Sequence, residues 1–95
     1  MKRALLLVVL IGCTPPPPIA TAADADRAHV PLAELSQGRD LLLAHCGACH
    51  DVPRPGDAAR DKWPALMDDM SQRAGLVGPQ RHLIQQYVLA MDLAR

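Results

Sequence analysis

The stretch Asp61-Lys62-Trp63-Pro64-Ala65-Leu66-Met67-Asp68-Asp69-Met70-Ser71-Gln72-Arg73-Ala74 decides the fold. Trp63, Leu66, Met67, Met70 and Ala74 fall at i, i+3, i+4, i+7 and i+11, which lines one face of an α-helix. Asp61 is suited to cap its start, Pro64 is tolerated in a first turn, and Gly75 stops it. Working outward, a second helical period follows from Pro79 nearly to the C-terminus, with Leu83, Ile84, Tyr87, Val88 and Met91 as its apolar stripe. A third precedes, from Pro31 to about His45, with Leu35, Gly38 and Leu42 on one face. Loops are expected over residues 51–60 and 75–78, and there is no strand-like alternation and no internal repeat. The expectation is an all-α head of about three main helices over residues 31–95.

Composition makes this a difficult domain to stabilise. The 95 residues are 49% hydrophobic but only 2% aromatic, with one Trp, one Tyr and no Phe. A head this short buries a modest share of its surface and usually needs a disulfide, metal, cofactor or partner. The missing aromatic volume suggests that something outside the polypeptide helps fill the core. Ten basic and ten acidic residues cancel, which argues against nucleic-acid binding. No paired carboxylates, Ser/His/Asp set or Gly-rich phosphate loop point to a hydrolase or nucleotide enzyme.

The N-terminus reads as an export signal. Met1-Lys2-Arg3 is followed by eight apolar residues, Ala4 to Ile11, far short of the ~20 needed to span a bilayer. Leu10-Ile11-Gly12-Cys13 resembles the bacterial lipobox, which implies cleavage after residue 12 and lipidation of Cys13; ordinary cleavage after Ala20 or Ala23 is the alternative. Cleavage removes Lys2 and Arg3, two of the ten basic groups, and leaves a mildly acidic chain. Thr14 follows the cysteine where an inner-membrane retention Asp would stand, so the resemblance leans towards the outer membrane. Residues 13–30 carry the four-proline run Pro15 to Pro18 and no regular period, and are expected to be an extended tether, with His29 solvated.

The chemistry is concentrated in Cys46-Gly47-Ala48-Cys49-His50, the C-x-x-C-H pattern of c-type haem attachment. Two thiols three positions apart at a helix end can each bond one haem vinyl group, and the adjacent His50 then offers its Nε2 to the iron. A thioredoxin-like reading lacks the βαβ context, and a zinc reading lacks a second ligand pair. Three cysteines are fully used by this scheme, one for lipid and two for haem.

With these residues in place the head resembles the class I cytochromes c. In that family a glycine eight positions before the first haem cysteine lets an aromatic of the last helix cross closely. Gly38 stands eight before Cys46, with Leu42 at a further core position and Tyr87 on the last helix. Trp63-Pro64-Ala65-Leu66-Met67-Asp68-Asp69-Met70 resembles the W-P-x-V-V-x-R-M element of small single-haem domains, which implies Met70 as sixth ligand. Asp69 replaces the family arginine, so any contact made by that arginine is in doubt here. Met67, Met91, His82 or an open distal site are the alternatives. Trp63 is expected either to donate its indole N–H to a haem propionate or to wall the pocket. Arg54, Arg60 and Lys62 are candidates for propionate pairing, against the plainer reading as solvated charges.

The resemblance implies a lipid-anchored carrier at the periplasmic face rather than an enzyme in its own right. It would pass single electrons between a dehydrogenase or respiratory complex and an oxidase or soluble carrier, or serve as the cytochrome subunit of a dehydrogenase. The alternative is a haem protein with an open distal site that binds or senses a gas or peroxide.

Overall fold

The computed structural model describes residues 16–46 and 54–93, and over them the chain is all-α. Four helices follow in order: α1 (Ala22–Ala28), α2 (Leu32–Cys46), α3 (Trp63–Ala74) and α4 (Gly78–Asp92), with single 3₁₀ turns at Pro55–Asp57 and Arg60–Lys62. Among the described residues there is no strand, and no helix is long and apolar enough to cross a membrane.

The three expected helices are present, with local differences. α2 begins one residue after Pro31, whose carbonyl accepts from the N–H groups of Glu34 and Leu35. α3 is not capped by Asp61: residues 60–62 form a 3₁₀ turn, and Lys62, itself helical in conformation, immediately precedes the helix. Pro64 sits in the first turn, and Gly75 ends the helix in the left-handed region at φ 68°, its N–H bonded to the Ser71 carbonyl. Val77 has no capping side chain, but its own N–H donates to Gln80 Oε1 at 3.2 Å, the return half of a capping box.

α2 and α4 form the main pair, and Gly38 marks their crossing. A Cβ built on Gly38 would overlap the Leu83 carbonyl oxygen and stand 2.8 Å from Tyr87 Cβ. Glycine therefore permits main chain to meet main chain at this point. Leu35 and Leu42 flank it on α2, and Ile84, Tyr87 and Val88 face them from α4, all fully buried. α3 covers this pair with Trp63 and Met67, also fully buried. Its buried stripe is Trp63, Met67 and Ser71 at i, i+4 and i+8. Leu66, expected inside, is 39% exposed, and Met70 lies half-buried on the flank.

The largest correction concerns residues 13–30, of which the structure describes 16 onward. Residues 22–28 are helical rather than an extended tether. Thr21 and Asp24 form a reciprocal capping box: the Asp24 N–H donates to Thr21 Oγ1 at 3.3 Å, and the Thr21 N–H donates to Asp24 Oδ2 at 2.8 Å. His29 closes the helix with φ 55° and is exposed, as expected for a solvated imidazole. Upstream, Pro17 is fully buried and Ala20 is buried in the same core as Leu35 and Tyr87. Among the described residues the packed core therefore reaches back to Pro17, upstream of residue 31.

Candidate functional site

Cys46 is the last residue of α2 and is buried, with its thiol unpaired. It shares one core cluster with Trp63 and Met67 of α3, against which Met70 packs. Burial pushes the Cys46 thiol above its ordinary value, so at neutral pH it is a protonated thiol in apolar surroundings. Cys49, His50 and the lipidation candidate Cys13 lie outside the described residues. The described part of the candidate site is thus one cysteine of the C-x-x-C-H motif, the tryptophan and the expected methionine, all belonging to or packed on the common core.

The four alternatives for the sixth ligand separate by environment. Met67 is fully buried and Met91 is 4% exposed, both as core side chains. His82 is exposed on α4. Met70 alone among the described methionines is half-buried, with one side against the core and another uncovered. A side chain that must both pack on protein and reach a bound group needs that intermediate position.

Trp63 is a wall of the core, and its indole N–H donates to the Pro55 carbonyl at 3.3 Å. That bond ties the start of α3 to the 3₁₀ turn after the cysteine segment and gives the buried donor its partner. Of the two roles weighed for Trp63, the described residues show the side chain walling the core with its N–H on the main chain.

The three cations diverge. Arg60 is committed to α4, donating to the Leu89 carbonyl at 2.7 Å and lying 3.8 Å from Asp92. Lys62 is exposed. Arg54 differs: its Nε is buried with no hydrogen-bond partner. It borders a recess of about 310 Å³ lined also by Pro18, Pro55, Gly56, Asp57 and Met91. A guanidinium N–H held without an acceptor is unfavourable, and a carboxylate is its natural partner. Arg54 therefore fits an acidic ligand better than Arg60 or Lys62 does.

Neighbouring charges are structural. Arg81 reaches Asp68 at 2.5 Å and the Pro64 carbonyl at 3.3 Å, which clamps α3 to α4. Asp69, the departure from the family arginine, pairs with Arg73 one turn on at 3.2 Å and is exposed. Among the described residues no group of three or more His, Cys, Asp or Glu could hold a metal ion.

Sequence reasoning missed Arg39, Pro17 and Pro18. The Arg39 Nε donates to the Pro17 carbonyl at 3.0 Å, and the Tyr87 hydroxyl donates to the Pro18 carbonyl. Burial raises the Tyr87 pKa to about 12, with Arg39 pulling the other way. The usable signal was Thr21-Ala22-Ala23-Asp24, a capping-box pattern with Asp in the Glu position.

The class that fold and site define is a small all-α domain closed by a glycine-mediated helix crossing, with a buried cysteine at the end of its first long helix. No family model, no curated protein and no solved structure matches this chain.

Proposed function

We propose that the chain is a lipid-anchored, single-haem c-type cytochrome that carries one electron at a time between periplasmic redox proteins. The observation that carries this reading is the placing of C-x-x-C-H. Its first cysteine is the buried last residue of α2, eight residues after the glycine at which α2 crosses α4. In this reading Cys46 and Cys49 bind haem c covalently and His50 supplies the proximal nitrogen. Met70 supplies the distal thioether from the flank of α3.

The chain's own groups fit such a prosthetic group. Trp63, Met67 and Met70 offer an apolar and polarisable wall. Arg54 offers a buried, unpartnered N–H to a propionate carboxylate. When bound, the haem supplies an iron that alternates between ferrous and ferric states, and methionine ligation favours the ferrous form relative to bis-histidine ligation. A haem held by both His50 and Met70 would leave no open site for a substrate, so in this reading the protein is a carrier and not itself an enzyme. Its partners are a dehydrogenase or respiratory complex on one side and an oxidase or soluble carrier on the other. The same properties suit a cytochrome subunit of a dehydrogenase. Cys13 anchors it at the periplasmic face, with Thr14 favouring the outer membrane.

The test is expression of the full chain with the cytochrome c maturation machinery. The expected product retains haem on a denaturing gel and shows the near-infrared methionine-to-iron band when oxidised. Met70→Ala loses that band and Met67→Ala keeps it. A product without covalent haem overturns the reading altogether. A high-spin wild type that binds carbon monoxide rapidly when reduced transfers the protein to the gas- or peroxide-binding class.

A further inference from the structure

We infer that residues 17–30 form a strap docked across the α2–α4 crossing, so that the head is held close to the lipid surface and cannot swing on a long tether. The consequence for membrane distance rests on the proposed lipidation of Cys13, whereas the docking itself does not.

The strap is fixed at successive points. Pro17 is fully buried, and its carbonyl accepts from Arg39, the residue after Gly38. The Pro18 carbonyl accepts from Tyr87, the aromatic at the crossing. Ala20 is buried in the common core, and Ala25, Ala28 and Val30 pack against it. Thr21 and Asp24 stiffen the turn between these attachments, and Arg27 holds Asp24 at 3.0 Å. Both partner residues of the strap carbonyls thus belong to the helix crossing itself. The proline run suits this role because it presents carbonyls that no N–H of its own can satisfy and loses little entropy on docking.

Docking changes the reach of the head. Only residues 14–16 separate Cys13 from Pro17. Four residue steps span at most about 14 Å, whereas an undocked chain from residue 13 to 31 could extend roughly 60 Å. The crossing therefore becomes the membrane-proximal part of the head. Cys46 lies eight residues further along α2, about 12 Å from that point. A head so held exchanges electrons with proteins that come to it, by diffusing through the periplasm or along the same membrane. It does not ferry electrons between two fixed sites by swinging.

The acylated protein, purified in detergent, gives the test. Haem absorbance and intact mass are read first, so failure to load haem or to acylate is seen separately from failure to dock. Hydrogen exchange is expected to show amides between Ile19 and Val30 protected with those of α2. Tyr87→Phe, which removes one hydroxyl and keeps the ring, should speed exchange in the strap about three- to ten-fold and leave α3 unchanged. Strap amides exchanging at unstructured-peptide rates beside a protected α2 overturn the inference. Neutron reflectivity of the same protein on a supported phospholipid bilayer should place the head within about 14 Å of the headgroups. It should move outward in the Arg39→Ala/Tyr87→Phe variant, which removes the donors to the Pro17 and Pro18 carbonyls. A wild-type head several tens of ångströms from the lipid overturns the inference as well.

Discussion

Replacing Gly38 by alanine tests the helix crossing directly. The added methyl would overlap the Leu83 carbonyl oxygen and lie 2.8 Å from Tyr87 Cβ. Carbon atoms in contact normally sit about 3.5–4.0 Å apart, so the helices must part by roughly 1 Å. Neither obstacle can swing aside, because one is main chain inside α4 and the other is the first atom of a fully buried side chain. Overpacking of a close-packed core costs about 1–3 kcal/mol, and a clash with main chain belongs at or above the upper end. Alanine returns about 1 kcal/mol of helix propensity. The net expectation is a loss of about 2 kcal/mol, or about 8–16 °C in Tm for a domain of this size.

The assay is thermal melting by circular dichroism at matched haem content, with Gly75 and Gly78 as controls. A Cβ on Gly78 would meet nothing within 4 Å, so Gly78→Ala should leave Tm unchanged or slightly raised. Gly75 also has open space but holds φ +68°, so Gly75→Ala should cost about 1 kcal/mol through backbone conformation alone. The expected order of stability is Gly78→Ala, then Gly75→Ala, then Gly38→Ala. A Gly38→Ala protein that melts at or above the wild type would show that α2 and α4 do not cross there.

Three further outcomes follow from single groups. Tyr87 is the only tyrosine, so ultraviolet difference titration should find its midpoint at about 12 instead of the ordinary 10.0. Because the fold favours the neutral phenol, stability should begin to fall above pH 10 as the unfolded chain ionises first. The Thr21 N–H holds the Asp24 carboxyl below its ordinary 3.8, helped by Arg27 and opposed by burial. Its stabilisation is present above that value and lost as pH falls further through the folded one. Strap protection relative to the intrinsic exchange rate should therefore be flat from pH 5 to 8 and fall below about pH 4, and Asp24→Ala should cost about 1 kcal/mol in thermal melts. The Cys46→Ala/Cys49→Ala variant should carry no covalent haem and show no cooperative melting; a native-like transition would mean the polypeptide completes its own core.

Elements whose apolar residues repeat at helical spacing were legible in the amino-acid order alone. Trp63 and Met67 announce α3 because their spacing matches one helix turn. The Gly38–Tyr87 crossing was legible through the resemblance to the class I cytochromes c, and the close approach of the Leu83 carbonyl gives its physical reason. Burial within the α3 stripe was less legible: spacing puts Leu66 and Met70 on the apolar face, but Leu66 is largely solvent-accessible. Periodicity locates a face, and the packing of the neighbouring helix decides which edge of it is covered. The strap was illegible for a different reason. Ala22–Ala28 is mostly alanine, so it has no apolar stripe to find, and a proline run reads as solvated chain unless the donors to its carbonyls are known. Those carbonyls are served by Arg39 and Tyr87, 22 and 69 residues away.

The strap also alters the argument from missing aromatics. A chain with one Trp and one Tyr needs other volume in its core, and composition pointed only to a source outside the polypeptide. Pro17 and Ala20 now supply part of it from within the polypeptide, at the crossing end of the molecule. Cys46, Met70 and the unpartnered Arg54 Nε are the groups left needing a companion, and Arg54 borders a recess that Pro18 of the strap also lines. Only the second deficit calls for a prosthetic group. Truncation before Thr21 should expose Tyr87 while leaving the methionine-to-iron band intact. Loss of that band on truncation would mean that the strap and the methionine site are one cooperative unit.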